Sequence, residues 1–361
     1  MSPRSRAVLV TGGCGFVGRN LVRRLLEEGV QDVWVLDDLS TGQHPDAWLP
    51  ALLPGAESAG SHPTDYRAGG QRVRFLRGDV LEVLGPEVGA GRAAGAVADW
   101  PRFDEAYHLA SIVGGRVKIE AEPLRVGLDL AIDSVFFLWA WQRGRIERLL
   151  YASSSAAYPV DLQSPTGAVA LREQEIDFAA ARIGMPDMTY GWSKLTGEYL
   201  TWLLATNHSV PACCVRPFSG YGEDQDLTYP VPAIADRAAR REDPLVVWGS
   251  GLQGRDFVHI DDCIDCMRLA IDTISDGTGV NIGSGTLTNF LEVAALLARI
   301  EGYEPEIRGT QQGPVGVHAR YADCAEAERR LGWRPSISLQ EGFGRVLAAQ
   351  ERRLRSTVDV D

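Results

Sequence analysis

Short apolar runs punctuate the first half of the chain at 7–11, 32–37, 73–77, 104–109 and 148–153, with a later one near 211–216. Between them lie longer segments with helical spacing, the first an amphipathic stretch from Arg19 to Glu28. Strand followed by helix, repeated, predicts an α/β fold built on a parallel, doubly wound sheet. Two connections are long. Gly42 to Gly70 carries Pro45, Pro50, Pro54 and Pro63, and Leu84 to Trp100 is rich in glycine and alanine. Both read as surface insertions, with a lid or an oligomer contact as the other option. Beyond Pro217 the pattern turns irregular and proline-rich, as expected of a smaller lobe. Residues 255–280 read as a return to the main body. Helices near 288–301 and 338–354 complete the second lobe. The expected division is therefore 1–216 with 255–280 in one domain, and 217–254 with 281–361 in the other.

The first strand runs straight into glycines. Residues 7–18 read Ala-Val-Leu-Val-Thr-Gly-Gly-Cys-Gly-Phe-Val-Gly. A strand, a glycine turn and a helix aim the helix N-terminus at a pyrophosphate. Gly12 suits the tight turn, Gly15 the close approach of the phosphates, and Gly18 the packing of helix on sheet. A second strand, Val33-Trp-Val-Leu36, ends in Asp37-Asp38. An acidic side chain there accepts hydrogen bonds from a ribose 2′-hydroxyl and repels a 2′-phosphate. The expected cofactor is NAD, not NADP.

Lysine is nearly absent. Lys118 and Lys194 stand against thirty-four arginines, and Lys194 closes Tyr190-Gly-Trp-Ser-Lys194. Four residues apart on a helix, phenol and ammonium share one face. A compact ammonium lowers a phenol's pKa and grips a ribose hydroxyl, which a planar guanidinium does less well.

Composition excludes more than it assigns. Apolar residues make up 45% and charged residues 23%, ordinary for a globular enzyme, and the length suits two lobes sharing a cleft. A net charge of −12 argues against a nucleic-acid partner and leaves capture of an anionic ligand to local arginines. No apolar run reaches membrane-spanning length and no signal-like segment opens the chain, so no membrane contact and a cytoplasmic location are expected. Of six cysteines, Cys263 and Cys266 have C-x-x-C spacing but sit in an apolar helical stretch. Buried thiols, and no metal site, are expected.

Together, residues 11–18, Asp37, Gly78-Asp79-Val80, His108-Leu-Ala-Ser111, the serines at 153–155 and the Tyr190/Lys194 pair resemble the extended short-chain dehydrogenase/reductases that act on nucleotide sugars. The resemblance covers roughly residues 6 to 350. It implies a Rossmann-type sheet, a smaller C-terminal α/β substrate lobe, bound NAD, a nucleotide-diphosphate sugar as substrate, and a homodimer whose interface includes the Tyr190/Lys194 helix. It places cofactor contacts at Gly12, Gly15, Phe16, Val17, Gly18, Asp37, Asp38, Ser40, Asp79, Val80, Leu109, Ala110, Ser111, Ser153, Tyr190, Lys194 and Pro217. Substrate contacts fall at Gly114, Gly115, Ser154, Ser155, Ser219, Arg255 and Arg320, the two arginines on the diphosphate. Ser154, Tyr190 and Lys194 form the catalytic set. Tyr190 as phenolate takes the C4 hydroxyl proton while hydride leaves for the nicotinamide, and Ser154 holds that oxygen.

Related dehydratases and decarboxylases keep a carboxylate just after the active-site hydroxyl, where this chain has Ser155 and Ala156. Similarity is closer to GDP-mannose 3,5-epimerases, through 108–115, Tyr151–Ser154, Tyr158-Pro159, 251–257, 280–284 and 331–336. Yet their acid/base cysteine is missing from Ala156-Ala157, and no lysine follows Tyr221-Gly222. Ser219 stands where the family usually has asparagine. A C4 epimerase needs no such acid/base pair and is the leading expectation. The alternatives are a 3,5-epimerase-like or other 4-keto-sugar enzyme using His259, Tyr221 or Glu223, a dehydrogenase that releases NADH, and a non-catalytic NAD-binding protein. Asp261-Asp262 is expected to N-cap a helix.

Overall fold

The computed structural model describes residues 6–60, 63–88, 97, 100–112, 114, 116–166, 168–310, 312–313 and 316–358. Strands β1 (Ala7–Thr11), β2 (Asp32–Asp37), β3 (Glu57–Ala59), β4 (Thr64–Ala68), β5 (Gln71–Arg77), β6 (Glu105–His108), β7 (Leu149–Ala152) and β8 (Ala212–Pro217) precede the second lobe. They alternate with helices α1 (Phe16–Glu27), α2 (Leu49–Leu52), α3 (Val80–Val88), α4 (Arg116–Ala121), α5 (Pro123–Val126), α6 (Asp129–Gln142) and α7 (Met188–His208). Then come β9 (Ser219–Tyr221), α8 (Pro230–Ala239), β10 (Leu245–Val247), β11 (Gly254–Arg255), β12 (Phe257–His259), α9 (Ile260–Thr273) and β13 (Asp276–Ile282). The chain finishes with β14 (Thr288–Asn289), α10 (Phe290–Glu301), β15 (Ile307–Gly309), β16 (Ala319–Arg320), α11 (Ala325–Leu331) and α12 (Leu339–Val358).

One sheet of nine strands in the order β13-β8-β7-β6-β1-β2-β5-β4-β3 forms the body, parallel from β13 through β5. Residue alternation sorts its apolar side chains into two layers. Val8, Val10, Val33 and Val35 face one layer, where Leu21, Val22 and Leu25 of α1 cover them. Leu9, Trp34 and Leu36 face the other, closed by Phe136, Phe137 and Trp139 of α6. Burial on both faces is why the parallel strands read as continuous apolar runs.

The 42–70 connection is more than a surface insertion. It folds into α2 and two antiparallel strands, β3 on β4 and β4 on β5, which widen the sheet. Cross-strand chemistry fixes it: Asp65 on β4 takes Arg74 Nε (2.6 Å) and Nη2 (2.9 Å) from β5, and the buried Tyr66 donates to Asp46 (2.7 Å). Of the 84–100 connection, residues 89–96, 98 and 99 lie outside the described residues. Trp100 at its end packs on Trp34, Phe103 and Trp139.

The second core gathers Tyr221, Phe257, Phe290 and Phe343 between α8, α10 and α12. Between α8 and α10, α9 returns to pack on α1 and β8, and β13 becomes the edge strand beside β8. Ala327 and Trp333 join that same body. The N-cap of α9 is His259, not the Asp261-Asp262 pair: its Nδ1 accepts the Asp261 amide (3.2 Å). Both aspartates fall in the first turn, favourable against the helix dipole. There Asp262 accepts from Ser336 N (2.9 Å), Ser336 Oγ (2.8 Å) and Ile337 N (3.0 Å). Cys263 and Cys266 are buried free thiols, and no group able to hold a metal ion occurs among the described residues.

Candidate active site

The glycine turn and α1 form a cradle of backbone. Gly12 N donates to Leu36 O (2.8 Å), tying the turn to β2. At position 18 any Cβ would lie 2.2 Å from the Gly12 carbonyl oxygen, so only glycine lets α1 start this close. Gly15 is the N-cap and has no side chain to offer, which leaves the amides of the first turn, from Phe16, Val17 and Gly18, open to an anion. Asp37 is buried at the end of β2, one oxygen accepting Cys14 N (2.9 Å) and the other Leu39 N (2.8 Å). Each carboxylate oxygen keeps a further lone pair for a ribose hydroxyl. Burial raises its carboxyl pKa, and the two backbone bonds oppose that rise. Asp38 is exposed and accepts the Ser40 amide (2.8 Å). Asp79 accepts the Leu81 amide (2.6 Å) at the start of α3, beside the buried Val80. Leu109 to Ser111 line the other wall: Leu109 N bonds Thr11 O (3.1 Å), and Ser111 Oγ donates to Asp129 (2.7 Å).

Helix α7 carries Tyr190 and Lys194 to the end of β7. A Cβ at Gly191 would sit 2.4 Å from Ala156 O, so this turn of the helix lies directly on the 155–157 turn. Lys194 is buried, donates to Ala152 O (3.1 Å), and stands 5.1 Å from the Tyr151 ring and 5.7 Å from that of Tyr190. Burial works against its charge, but Tyr190, Asp133, Asp129 and Glu198 outweigh it and the pKa rises. The ammonium stays charged beside the phenol. Of the three serines, only Ser154 is half-buried. Ser155 is buried, and Ser153 is buried with its hydroxyl donated to Glu198. Glu198 in turn holds Arg216 through Nε (2.9 Å) and Nη2 (2.6 Å), a fork-on-fork pair that fixes α7 on β8.

Arg255 on β11 and Arg320 on β16 are neighbours in parallel register. Burial, then repulsion from Arg320 and Arg116, pushes Arg255 down to about 9. Arg320 Nη2 donates to Asp187 (2.8 Å), the residue just before α7. Ser219 on β9 is half-buried, its amide on Asp256 O (2.8 Å), and Pro217 ends β8 beside it. Gly114 is half-buried, and Gly115 lies outside the described residues.

Residues 8–283 match the model of the NAD dependent epimerase/dehydratase family. The chain belongs to that family. Its cofactor is NAD. Among curated relatives, dTDP-L-rhamnose 4-epimerase of Burkholderia thailandensis is 27% identical over 94% of this chain and 94% of its own. GDP-mannose 3,5-epimerase 1 of Oryza sativa subsp. indica is 29% identical over 93% of this chain and 79% of its own. The fold matches the UDP-glucose 4-epimerase of Thermotoga maritima, solved with UDP-glucose, at a TM-score of 0.75 and 24% identity, covering 97% of this chain and 99% of that one.

For a member of this family, the cradle fits NAD on three counts: open helix amides, a buried carboxylate with lone pairs to spare, and a lysine held beside the phenol. Sequence reasoning missed four residues. Asp133 accepts from Tyr151 (2.7 Å) and pairs with His108 Nε2 (3.1 Å), whose Nδ1 meets Thr11 Oγ1 (2.7 Å). Arg116 joins Arg320 on Asp187. Tyr229, just before α8, is within electrostatic reach of Tyr190, and burial followed by that neighbour pushes its phenol up to about 12. A pattern of short apolar runs carries no signal for such residues, because their partners lie far away in the chain. Conversely, Tyr221, His259 and Glu223 are no acid/base set. Tyr221's hydroxyl is buried under α12, where a Cβ at Gly342 would come within 2.1 Å of it. His259 is buried as a helix cap with Glu223 on its other nitrogen (3.2 Å).

Proposed function

We propose that this protein is an NAD-dependent nucleotide-sugar epimerase that works through a transient 4-keto intermediate, inverting C4 of a GDP- or UDP-sugar. One observation carries the reading: Ser154 caps the turn 155–157, on which the helix of Tyr190 and Lys194 rests, and the side chains of that turn are Ser-Ala-Ala and hold no carboxylate. Elimination and decarboxylation have no group to serve them there. The cofactor supplies hydride acceptance and return. Lys194 stabilises Tyr190 as phenolate, Tyr190 takes the proton of the C4 hydroxyl, and Ser154 donates a hydrogen bond to that oxygen. The arginines anchor the diphosphate while the keto sugar turns over, so that hydride would return to the other face of C4, and Tyr190 gives the proton back to its oxygen.

In this reading 1–216 with 255–280 form the cofactor domain and 217–254 with 281–361 the substrate lobe, with Ser154 and Arg255 reaching the sugar nucleotide from the first. A homodimer is supported by exposed Leu128, Leu138, Trp141, Trp192 and Tyr199 around α6 and α7. We place the enzyme in the cytoplasm; no described helix is long and apolar enough to cross a membrane.

The test is incubation with GDP-, UDP- and dTDP-sugars in deuterated water, followed by NMR. The expected result is a C4 epimer without carbon-bound deuterium. Deuterium at C3 or C5 would establish 3,5-epimerisation instead. Stoichiometric NADH would mean a dehydrogenase, and bound cofactor without turnover a non-catalytic protein.

A further inference from the structure

Two arginines meet the Asp187 carboxylate, and a third stands beside them. Arg116 Nη1 donates to both oxygens of Asp187 (3.0 and 2.8 Å), and Arg320 Nη2 donates to one of them (2.8 Å). Arg255 closes the group from the far side: a Cβ at Gly316 would lie 3.3 Å from its Nη2 and 3.4 Å from the Arg116 guanidinium carbon. Three half-buried guanidinium groups thus surround one buried carboxylate. Guanidinium forks gathered this closely suit bidentate contacts with a diphosphate. Glu120, also on Arg116 (2.6 Å), is exposed and screened by solvent.

Asp187 is itself out of place. It is the N-cap of α7, where an aspartate normally accepts an amide of the first turn, yet its side chain makes no cap bond. The carboxylate is given to the arginines instead. The next residue, Met188, is held at φ 57°, a left-handed conformation unfavourable for a non-glycine residue. Strain and a forgone cap mark a segment kept in position by its ion pairs.

We propose that Arg116, Arg255, Arg320 and Asp187 form one exchangeable anion site, in which Asp187 holds the guanidinium donors that the substrate's diphosphate takes over. Arg116 is then a third diphosphate-binding arginine. The displaced carboxylate is free to cap α7, the helix that carries Tyr190 and Lys194. This inference rests on reading the cleft as a nucleotide-sugar site, but not on which stereocentre is inverted.

The test is calorimetric titration of the NAD-loaded protein with UDP, GDP and inorganic pyrophosphate, for wild type, D187N and R116M. If Asp187 competes with the ligand, D187N binds diphosphates several-fold more tightly. R116M binds them about 10- to 100-fold more weakly, since a hydrogen bond to a charged group contributes ~1.5–3 kcal/mol. NAD affinity stays level in both. Weaker binding by D187N would show that Asp187 merely fixes the arginines, and unchanged binding by R116M would remove Arg116 from the site; either overturns the proposal. Should D187N not fold, R116M decides alone. Failure of the epimerase reading registers separately, as intact diphosphate binding without turnover.

Discussion

The cofactor cradle and the arginine cluster each present positive electrostatics to a phosphate ligand, but they are built in opposite ways. The cradle uses backbone amides from one contiguous stretch, 12–18, and its geometry follows from which positions lack a side chain. The cluster uses charged side chains from α4, β11, β16 and the residue before α7. Nothing local holds these together. The work falls to groups such as Asp256, which accepts Ser284 N (2.7 Å), Gly285 N (2.9 Å) and Ala322 N (3.0 Å), pinning the strand of Arg255 to the loops around Arg320. Backbone sites are thus encoded by absence, and charged sites by long-range fit.

Variants can separate the two regions. The largest effect is expected at their seam. Gly191→Ala would push α7, with Tyr190 and Lys194, off the 155–157 turn, lowering kcat about a hundredfold, as ångström-scale misplacement of a base does, with smaller losses of NAD and diphosphate affinity. Equal losses in all three would show that the regions are not separable. Gly18→Val strikes the cradle alone. Overpacking costs ~1–3 kcal/mol, so NAD affinity falls about 10- to 100-fold with pyrophosphate binding preserved, as read by paired titrations. Arg320→Met does the reverse, weakening diphosphate binding about tenfold at constant NAD affinity.

The smallest effect lies far from both regions, in the widened sheet. There the Arg74 guanidinium, against burial and with help from Arg67, holds the Asp65 carboxyl at about 2. A folded pKa below the unfolded value of about 4 adds stability that is present above pH ~4 and lost as pH falls toward 2. Asp65→Asn should therefore lower Tm by about 1–3 °C at neutral pH, with the gap closing between pH 4 and 2. A gap independent of pH would assign the contribution to packing.

Much of this site was legible beforehand because its signals are local. Gly12, Gly15 and Gly18 after a strand, Asp37 at the end of the next, and Tyr190 four residues before Lys194 all report on one element or one turn. The 42–70 segment read as a surface insertion without strands of its own, because prolines mask the short alternation at 64–68 that lets β4 pair with β5. Arg116 was passed over among thirty-four arginines, since nothing in its own neighbourhood distinguishes it from a solvated charge. Asp261 and Asp262 were assigned a capping role that belongs to His259, two residues earlier, because residue type alone favours aspartate there.

By itself, then, the amino-acid order determined the alternation of strands and helices, the phosphate cradle, the preference for NAD and the phenol–ammonium pair. Each depends on residues within a few positions of one another, where steric exclusion and helical periodicity act directly. Tertiary structure alone decided which of the serines at 153–155 are buried, which arginines gather around Asp187, and how Tyr221 and His259 are enclosed. Those outcomes depend on burial and on distances between remote segments, and both come into being only when the sheet, the second lobe and α7 close on one another.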